Sequence, residues 1–318
     1  MKVKDGWFLL LKSKKLQAIE AMERMQRRLA CPYCGAQMAV ADAQQLACTG
    51  GHSFDFSRSG YVNLLTRPAE SRYDAQLFQA RRQLITAAGL FTPLHDTVAD
   101  LIRQFGRFAG PYTLLDAGCG EGSHLALVAA ALGEASILGV GIDISRDAAA
   151  LASKAYPGYI WLVGDLARLP FRDSSFSCVL NCLSPSNYRE FQRILEPEGI
   201  VVKVVPGADH LRELRAFQTA GTGKNAQRGS GSSNDTAALF ERQLSLLDRR
   251  SLRYAHTVGG SDISDLLAMS PLAWSTDNDE ISRAIGREAM AITIHLEVLT
   301  GTKRAAQADE SAYFKTFT

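Results

Sequence analysis

The chain has 318 residues, 46% of them hydrophobic and 21% charged, with a formal net charge of +2 at pH 7. That length suits two domains, and the composition is that of a globular enzyme rather than a disordered, fibrous or membrane-embedded chain. The small positive charge argues neither for nor against a nucleic-acid partner, because sequence does not show whether Lys and Arg gather on one face.

Residues 1–30 hold eight Lys/Arg against three Asp/Glu. Trp7 to Leu11 is an apolar run between lysines. It is too short to span a membrane and lacks a small-residue cleavage site, so no membrane segment and no signal peptide are expected. Leu16, Ile19, Met22, Met25 and Leu29 recur at helical spacing and predict a basic amphipathic helix. It reads as a peripheral extension or an overcalled start of the reading frame, with an RNA-contacting arm as the alternative.

Residues 31–66 carry Cys31-Pro-Tyr-Cys34, thirteen residues, then Cys48-Thr-Gly-Gly-His52. Three thiols and an imidazole at this spacing are a tetrahedral zinc set: Cys31, Cys34, Cys48 and His52. Each short pair sits on a turn, where two side chains can converge on one ion. The ion then supplies folding free energy that so small a segment cannot draw from its own core. Four protein ligands leave no position for water, which points to a structural site. Unrelated buried thiols are the alternative. The remaining cysteines, Cys119, Cys178 and Cys182, make no disulfide framework, which fits a reducing cytoplasm.

Residues 67–110 read as a helical linker, with one helix around 76–82 and another opened by Pro93. From residue 112 apolar strands at 112–117, 137–142, 159–163, 176–183 and 200–205 alternate with helices at 123–132, 145–156 and 187–195. That alternation predicts an α/β fold with a parallel, doubly wound sheet over 111–318. Residues 253–258 and 291–299 read as final antiparallel strands. The Gly/Ser-rich stretch 222–236 reads as a mobile loop and candidate lid, and the last residues as a frayed end.

The first of these strands runs into Asp116-Ala117-Gly118-Cys119-Gly120-Glu121-Gly122. A glycine-rich turn here lets the backbone approach a ligand and aims a helix N-terminus at it. Nicotinamide-cofactor sites carry such turns too. Three features separate the two: the acid Asp116 ahead of the glycines, Asp143 ending the second strand where it can accept ribose hydroxyls, and Gly164-Asp165 after the third.

The motif Asp-x-Gly-Cys-Gly-x-Gly resembles the fingerprint of class I S-adenosylmethionine-dependent methyltransferases, a Rossmann-like superfamily that places an acid such as Asp165 near the adenine amino group. The zinc segment with its tail (Phe54-Asp55, then Gly60-Tyr61-Val62-Asn63-Leu64-Leu65) resembles the bacterial 23S rRNA (guanine-N1)-methyltransferase family, and the resemblance covers residues 31–300. It implies methyl transfer from S-adenosylmethionine to N1 of a guanine in a hairpin loop of large-subunit rRNA, with structural zinc and a homodimer. Within 88–94 it implies a cofactor contact at Phe91. After the glycine turn it implies contacts at His124 and Leu125. In Val205-Pro206 through Leu214 it implies one at His210, and it extends to the block Met269 to Trp274. The chain departs from the family in its leading extension, in the Gly/Ser stretch and in Pro197-Glu198-Gly199. Ser184-Pro185-Ser186-Asn187 is closer to the Gram-positive-type branch, whose modification can contribute to macrolide resistance.

Ser184-Pro185-Ser186-Asn187-Tyr188 stands where amino-methylating enzymes carry Asn-Pro-Pro-Tyr, which argues against an exocyclic amine as acceptor. Cys178 and Cys182 lack the setting of a cytosine C5 nucleophile and read as packing. Candidate RNA contacts are Arg58, Tyr61, Arg67, Arg72, Tyr73, Arg81 and Arg82, with solvated surface arginines as the plain alternative. An oxygen within 184–188 is the candidate proton acceptor, with no residue singled out. A small-molecule methyltransferase and a catalytically inert RNA-binding fold are the rival functions.

Overall fold

A computed structural model describes residues 12–69, 73–106, 112–133, 137–216, 233–259, 261–269 and 289–304. Chain order is α1 (Lys14–Met25), β1 (Met38–Ala41), β2 (Gln45–Cys48), β3 (Ser53–Asp55), β4 (Val62–Asn63), α2 (Ala75–Thr86) and α3 (Thr92–Phe105). There follow β5 (Tyr112–Ala117), α4 (Ser123–Leu132), β6 (Ile137–Asp143), α5 (Arg146–Ala155), β7 (Ile160–Val163), β8 (Phe176–Cys182), α6 (Tyr188–Ile194) and β9 (Leu195–Pro206). The chain then forms α7 (Ser233–Gln243), β10 (Ser245–Val258), α8 (Ser261–Met269) and β11 (Met290–Thr302).

Eight strands form one sheet in the order β10-β11-β9-β8-β5-β6-β7-β4. β5 through β9 run parallel, as the alternating pattern predicts, and β11 inserts between β9 and β10 antiparallel to both. Side chains alternate between the faces, as the pleat requires. Leu114, Leu180 and Val202 pack under α2, α3, α4 and α5, while Leu115, Val179 and Val201 pack against α1, α6 and α7. Val258 and the buried side chains of α8 join Leu84 and Ile85 of α2 in the first of these cores. No helix among the described residues is long and apolar enough to cross a membrane.

The amino-terminal part has the short strands and turns expected of a zinc module, but it is joined to the rest of the chain. β1, β2 and β3 form a small antiparallel sheet, yet its apolar side chains Met38, Leu46 and Phe54 belong to the same core as β5–β8. The tail that follows is a strand of the large sheet: Val62 and Asn63 pair in parallel with Leu162 and Val163, and Leu64 N donates to Val163 O. Helix α1 is not peripheral either. Ile19, Met22, Met25 and Leu29 are buried in that shared core, each worth about 1.5–3 kcal/mol by apolar burial. Ala18 closes onto Gly60, a left-handed position (φ +104°) where an added methyl would lie 2.6 Å from the Ala18 Cβ. Arg28 bridges to Ser175 O (2.5 Å) and Glu196 (2.9 Å), tying the extension to β8 and β9.

Other differences concern length. β10 begins at Ser245, well before the predicted strand, because cross-strand ion pairs such as Arg249–Glu297 (3.0 Å) support a charged stretch. Helix α7 takes up the end of the predicted 222–236 loop. Its remaining part, with Arg72 and residues 270–274, lies outside the described residues.

Candidate functional site

The four predicted metal ligands converge. One ligand atom from each of Cys31, Cys34, Cys48 and His52 lies within 4.8 Å of all the others. Thiolates on a tetrahedral zinc stand about 3.8 Å apart, and a thiolate and imidazole nitrogen about 3.6 Å. Cys34 Sγ–Cys48 Sγ is 3.7 Å, Cys31 Sγ–His52 Nδ1 3.6 Å and Cys48 Sγ–His52 Nδ1 3.5 Å. The donor set therefore fits zinc in identity and spacing. Two tight turns hold it: Gly35 N donates to Cys31 O and Gly51 N to Cys48 O. Burial pushes the Cys31 thiol up. Burial opposes ionisation at Cys48 as well, but hydrogen bonds from the backbone and side chain of His52 bring it down to about 6, towards the thiolate a metal needs. Tyr33 stacks on the His52 ring at 5.0 Å.

The second site lies at the carboxyl ends of β5 and β6, where open α/β sheets take ligands. Gly118, Gly120 and Gly122 all have positive φ. The turn they form is fastened to β6: Gly118 N and Cys119 N donate to Ile142 O, and Gly120 N donates to Asp143 Oδ2 at 2.8 Å. Ser145 N donates to Asp143 Oδ1 at 2.9 Å, and Gly164 N, from the end of β7, to Asp143 O at 2.9 Å. Asp116, Gly118, Gly120, Gly122 and Asp143 thus share one site. Asp165 follows directly, exposed, on the rim of a cleft of about 460 Å³ that also borders Ser186 and Asn187.

Acid dominates this turn. Asp116 and Glu121 are fully buried, and none of their four carboxylate oxygens has a hydrogen-bond partner among the described residues. Burial pushes Asp116 up to about 7, and raises Asp143 against its two backbone donors. Leu125 and His124 are buried in the first turn of α4, and the Phe91 ring lies 5.5 Å from that of His124. His95 Nε2 and His124 Nδ1 are 2.9 Å apart. Burial holds His95 down at about 4 and His124 well below its usual range, so both imidazoles are neutral at pH 7. A neutral ring beside a cationic ligand repels nothing. His210 stands apart: it accepts from His295 N on β11 at 3.3 Å, and among the described residues no hydrogen bond or ring contact joins it to the glycine turn.

The loop after β8 closes the site. A methyl group built on Gly118 would lie 1.9 Å from Ser184 Oγ. Buried Lys203 on β9 donates to Asn181 Oδ1 at 2.5 Å and to Ser184 O, while Asn181 Nδ2 donates to Ala117 O and Pro185 O. Ser186 Oγ donates to the same Asn181 Oδ1 at 2.8 Å. Cys178 and Cys182 are buried in the core, and burial raises both thiols, which is inert packing rather than nucleophile chemistry.

The predicted RNA contacts divide. Arg58, Arg67 and Tyr73 are exposed. Tyr61 is buried, its hydroxyl accepting from Arg146 Nε at 3.0 Å, and Arg82 lies over the Tyr156 ring. Arg81 turns inward to the glycine turn, pairing with Glu121 at 3.4 Å. Its inward role was open to the sequence, since 77, 81 and 84 share one helical stripe. The same holds for His95 on the 91, 95, 98, 102 stripe. Lys203 and Glu121 had no such signal.

The sheet order, the antiparallel β11 and the glycine turn define a class I S-adenosylmethionine-dependent methyltransferase, here joined to a zinc ribbon. A family model described as Methyltransferase domain matches residues 114–199, and one described as RlmA, N-terminal matches residues 29–71. A protein of Bacillus subtilis (strain 168) that carries the provisional name 23S rRNA (guanine-N(1)-)-methyltransferase YxjB is 42% identical over 277 residues, 86% of this chain and 96% of its own. The 23S rRNA (guanine(748)-N(1))-methyltransferase of Streptomyces fradiae is 34% identical over 261 residues, 81% of this chain and 90% of its own. The chain belongs to the 23S rRNA (guanine-N1)-methyltransferase family.

Proposed function

We infer that this protein transfers the methyl group of S-adenosylmethionine to N1 of a guanine in 23S rRNA, within a hairpin loop. The observation that carries the reading is a zinc ribbon packed into the core of the sheet whose strand ends carry an acid-lined methyl-donor turn; a small-molecule methyltransferase needs no such ribbon.

S-adenosylmethionine supplies an electrophilic methyl group on a sulfonium. As the guanine N1–CH3 bond forms, the C–S bond breaks, S-adenosylhomocysteine leaves, and the N1 proton must go to a base. Cys31, Cys34, Cys48 and His52 hold the structural zinc. Asp143 takes the ribose hydroxyls: each of its oxygens accepts one backbone N–H and keeps a further lone pair. Asp165 lies at the adenine side. Phe91, His124 and Leu125 form the apolar wall, and the buried carboxylates of Asp116 and Glu121 favour a cationic ligand. His210, which the family resemblance would bring to the donor, is joined to β11 and is not placed among the residues that hold the donor turn.

Ser184 Oγ lies against a methyl built on Gly118, so the 184–188 loop borders the donor turn; its oxygens can accept a hydrogen bond from guanine N1–H, and the proton leaves to solvent as the methyl is transferred. Lys203 and Asn181 hold that loop, and such positioning supplies much of the rate in a transfer of this kind. N1 lies on the Watson–Crick edge, so the base must be unpaired or flipped. The exposed Arg58, Arg67 and Tyr73 are the candidate RNA contacts that remain. A homodimer acting in the cytoplasm completes the proposal.

The test uses labelled S-adenosylmethionine and 23S rRNA from a strain lacking the modification. Label recovered as 1-methylguanosine supports the reading; label in another nucleoside, or none with the donor bound, overturns it.

A further inference from the structure

Arg81 has an unusual place. Its Nη1 fills the space over Gly120, where an added methyl would lie 2.0 Å from it, and its side chain is 18% exposed. Among the described residues it makes one loose ion pair, 3.4 Å to Glu121, and no hydrogen bond. A purely structural arginine in this position would be expected to use its fork to satisfy the carboxylates around it. Instead the oxygens of Glu121 and Asp116 stay without hydrogen bonds at the same turn. The site therefore offers a planar cation held by one loose ion pair, beside two buried acids without hydrogen bonds among the described residues.

One kind of ligand group answers both: an α-amino acid end, with a carboxylate and an ammonium on one carbon. We propose that Arg81 binds the methionyl carboxylate of the methyl donor while Glu121 and Asp116 face its ammonium. The inference rests on the donor reading above and deepens it. A guanidinium can hold a carboxylate bidentately, whereas the acids alone would repel it. Arg81 lies outside residues 114–199, the span matched by the methyltransferase family model. The donor's amino-acid end is therefore held from α2, an element ahead of the nucleotide-binding strands. Helix α8 packs on the same α2 that carries Arg81.

The test is calorimetric and uses the zinc-loaded full chain. Wild type, Arg81→Ala and Arg81→Lys are titrated with S-adenosylmethionine and with its decarboxylated analogue, which keeps the ammonium and sulfonium. Arg81→Ala is expected to weaken S-adenosylmethionine binding about 10- to 100-fold, the loss of a charge-assisted contact. The same change should move binding of the analogue less than about threefold, within the spread of a lost peripheral contact. Equal loss for both ligands, or loss for neither, overturns the inference. If the alanine protein does not fold, Arg81→Lys carries the test: partial loss confined to S-adenosylmethionine supports it, and equal loss overturns it. A wild-type protein that binds neither ligand fails the donor reading itself, an outcome separate from the others.

Discussion

The metal centre and the donor turn are built in opposite ways. All four metal ligands come from 22 consecutive residues on two turns, and their distances already match a tetrahedral ion. The donor site draws Arg81 from α2, Phe91 and His95 from the start of α3, acids from the ends of β5 and β6, and Ser184 from a loop held by β9. A locally built site depends on one ion. A site assembled from many elements depends on their packing, so damage to it should be graded and separable by ligand.

Removing the metal should have the largest effect. Chelation, or Cys48→Ser, is expected to cost well over about 5 kcal/mol, since structural zinc binding is folding free energy. Because Met38, Leu46 and Phe54 share a core with β5–β8, the thermal transition of the whole protein should drop. A lower metal content with an unchanged transition would break the view that ribbon and sheet are one unit. Next comes Asp143→Ala, which removes two backbone hydrogen bonds to a carboxylate at about 1.5–3 kcal/mol each. Donor affinity by calorimetry should also fall at least about 100-fold, because two ribose hydroxyls lose a charged acceptor worth about 1.5–3 kcal/mol each, at about 1.4 kcal/mol per decade. Metal content should stay unchanged.

Lys203→Met separates loop positioning from donor binding. It leaves Asn181 Oδ1 without its buried cation and frees Ser184 O. Single-turnover methylation should slow about 10- to 100-fold by misplacement of the loop. Donor affinity should move little, and an equal loss in both would make Lys203 a plain stabilising residue. A further effect, on stability rather than on rate or affinity, is a pH slope. With Asp116 raised to about 7, the folded chain keeps a proton that the unfolded chain releases near pH 4. This group's contribution to stability is therefore largest below about pH 4 and falls as pH rises to about 7, because the folded state binds more protons across that window. Thermal unfolding of the ligand-free protein should show this slope, and Asp116→Asn should remove it.

The same contrast explains what the sequence disclosed. The metal ligands were legible because spacing alone brings them together. The strand-end positions Asp116, Asp143 and the three glycines were legible because strand–turn–helix order fixes them. Arg81 and Arg82 show the limit: adjacent and chemically alike, one reaches Gly120 and the other lies over Tyr156. Only the apolar stripe of α2 tells them apart, and the pair read first as RNA contacts. Lys203 sits in the apolar run of β9, where nothing local announces that its amine meets the Ser184 loop. Helix α1 carried its stripe openly, but the stripe does not name its partner, and the partner proved to be the core shared by ribbon and sheet. Val62 and Asn63 are too few to read as a strand without β7 beside them.

Primer extension on 23S rRNA tests the central claim most directly, because a methyl group on guanine N1 blocks Watson–Crick pairing and stops reverse transcriptase. Unmodified 23S rRNA treated with the zinc-loaded protein and S-adenosylmethionine should acquire one new stop, at a guanine in a hairpin loop. The stop should be absent without the donor. Full-length extension through every hairpin guanine, with the donor demonstrably bound, would contradict the account.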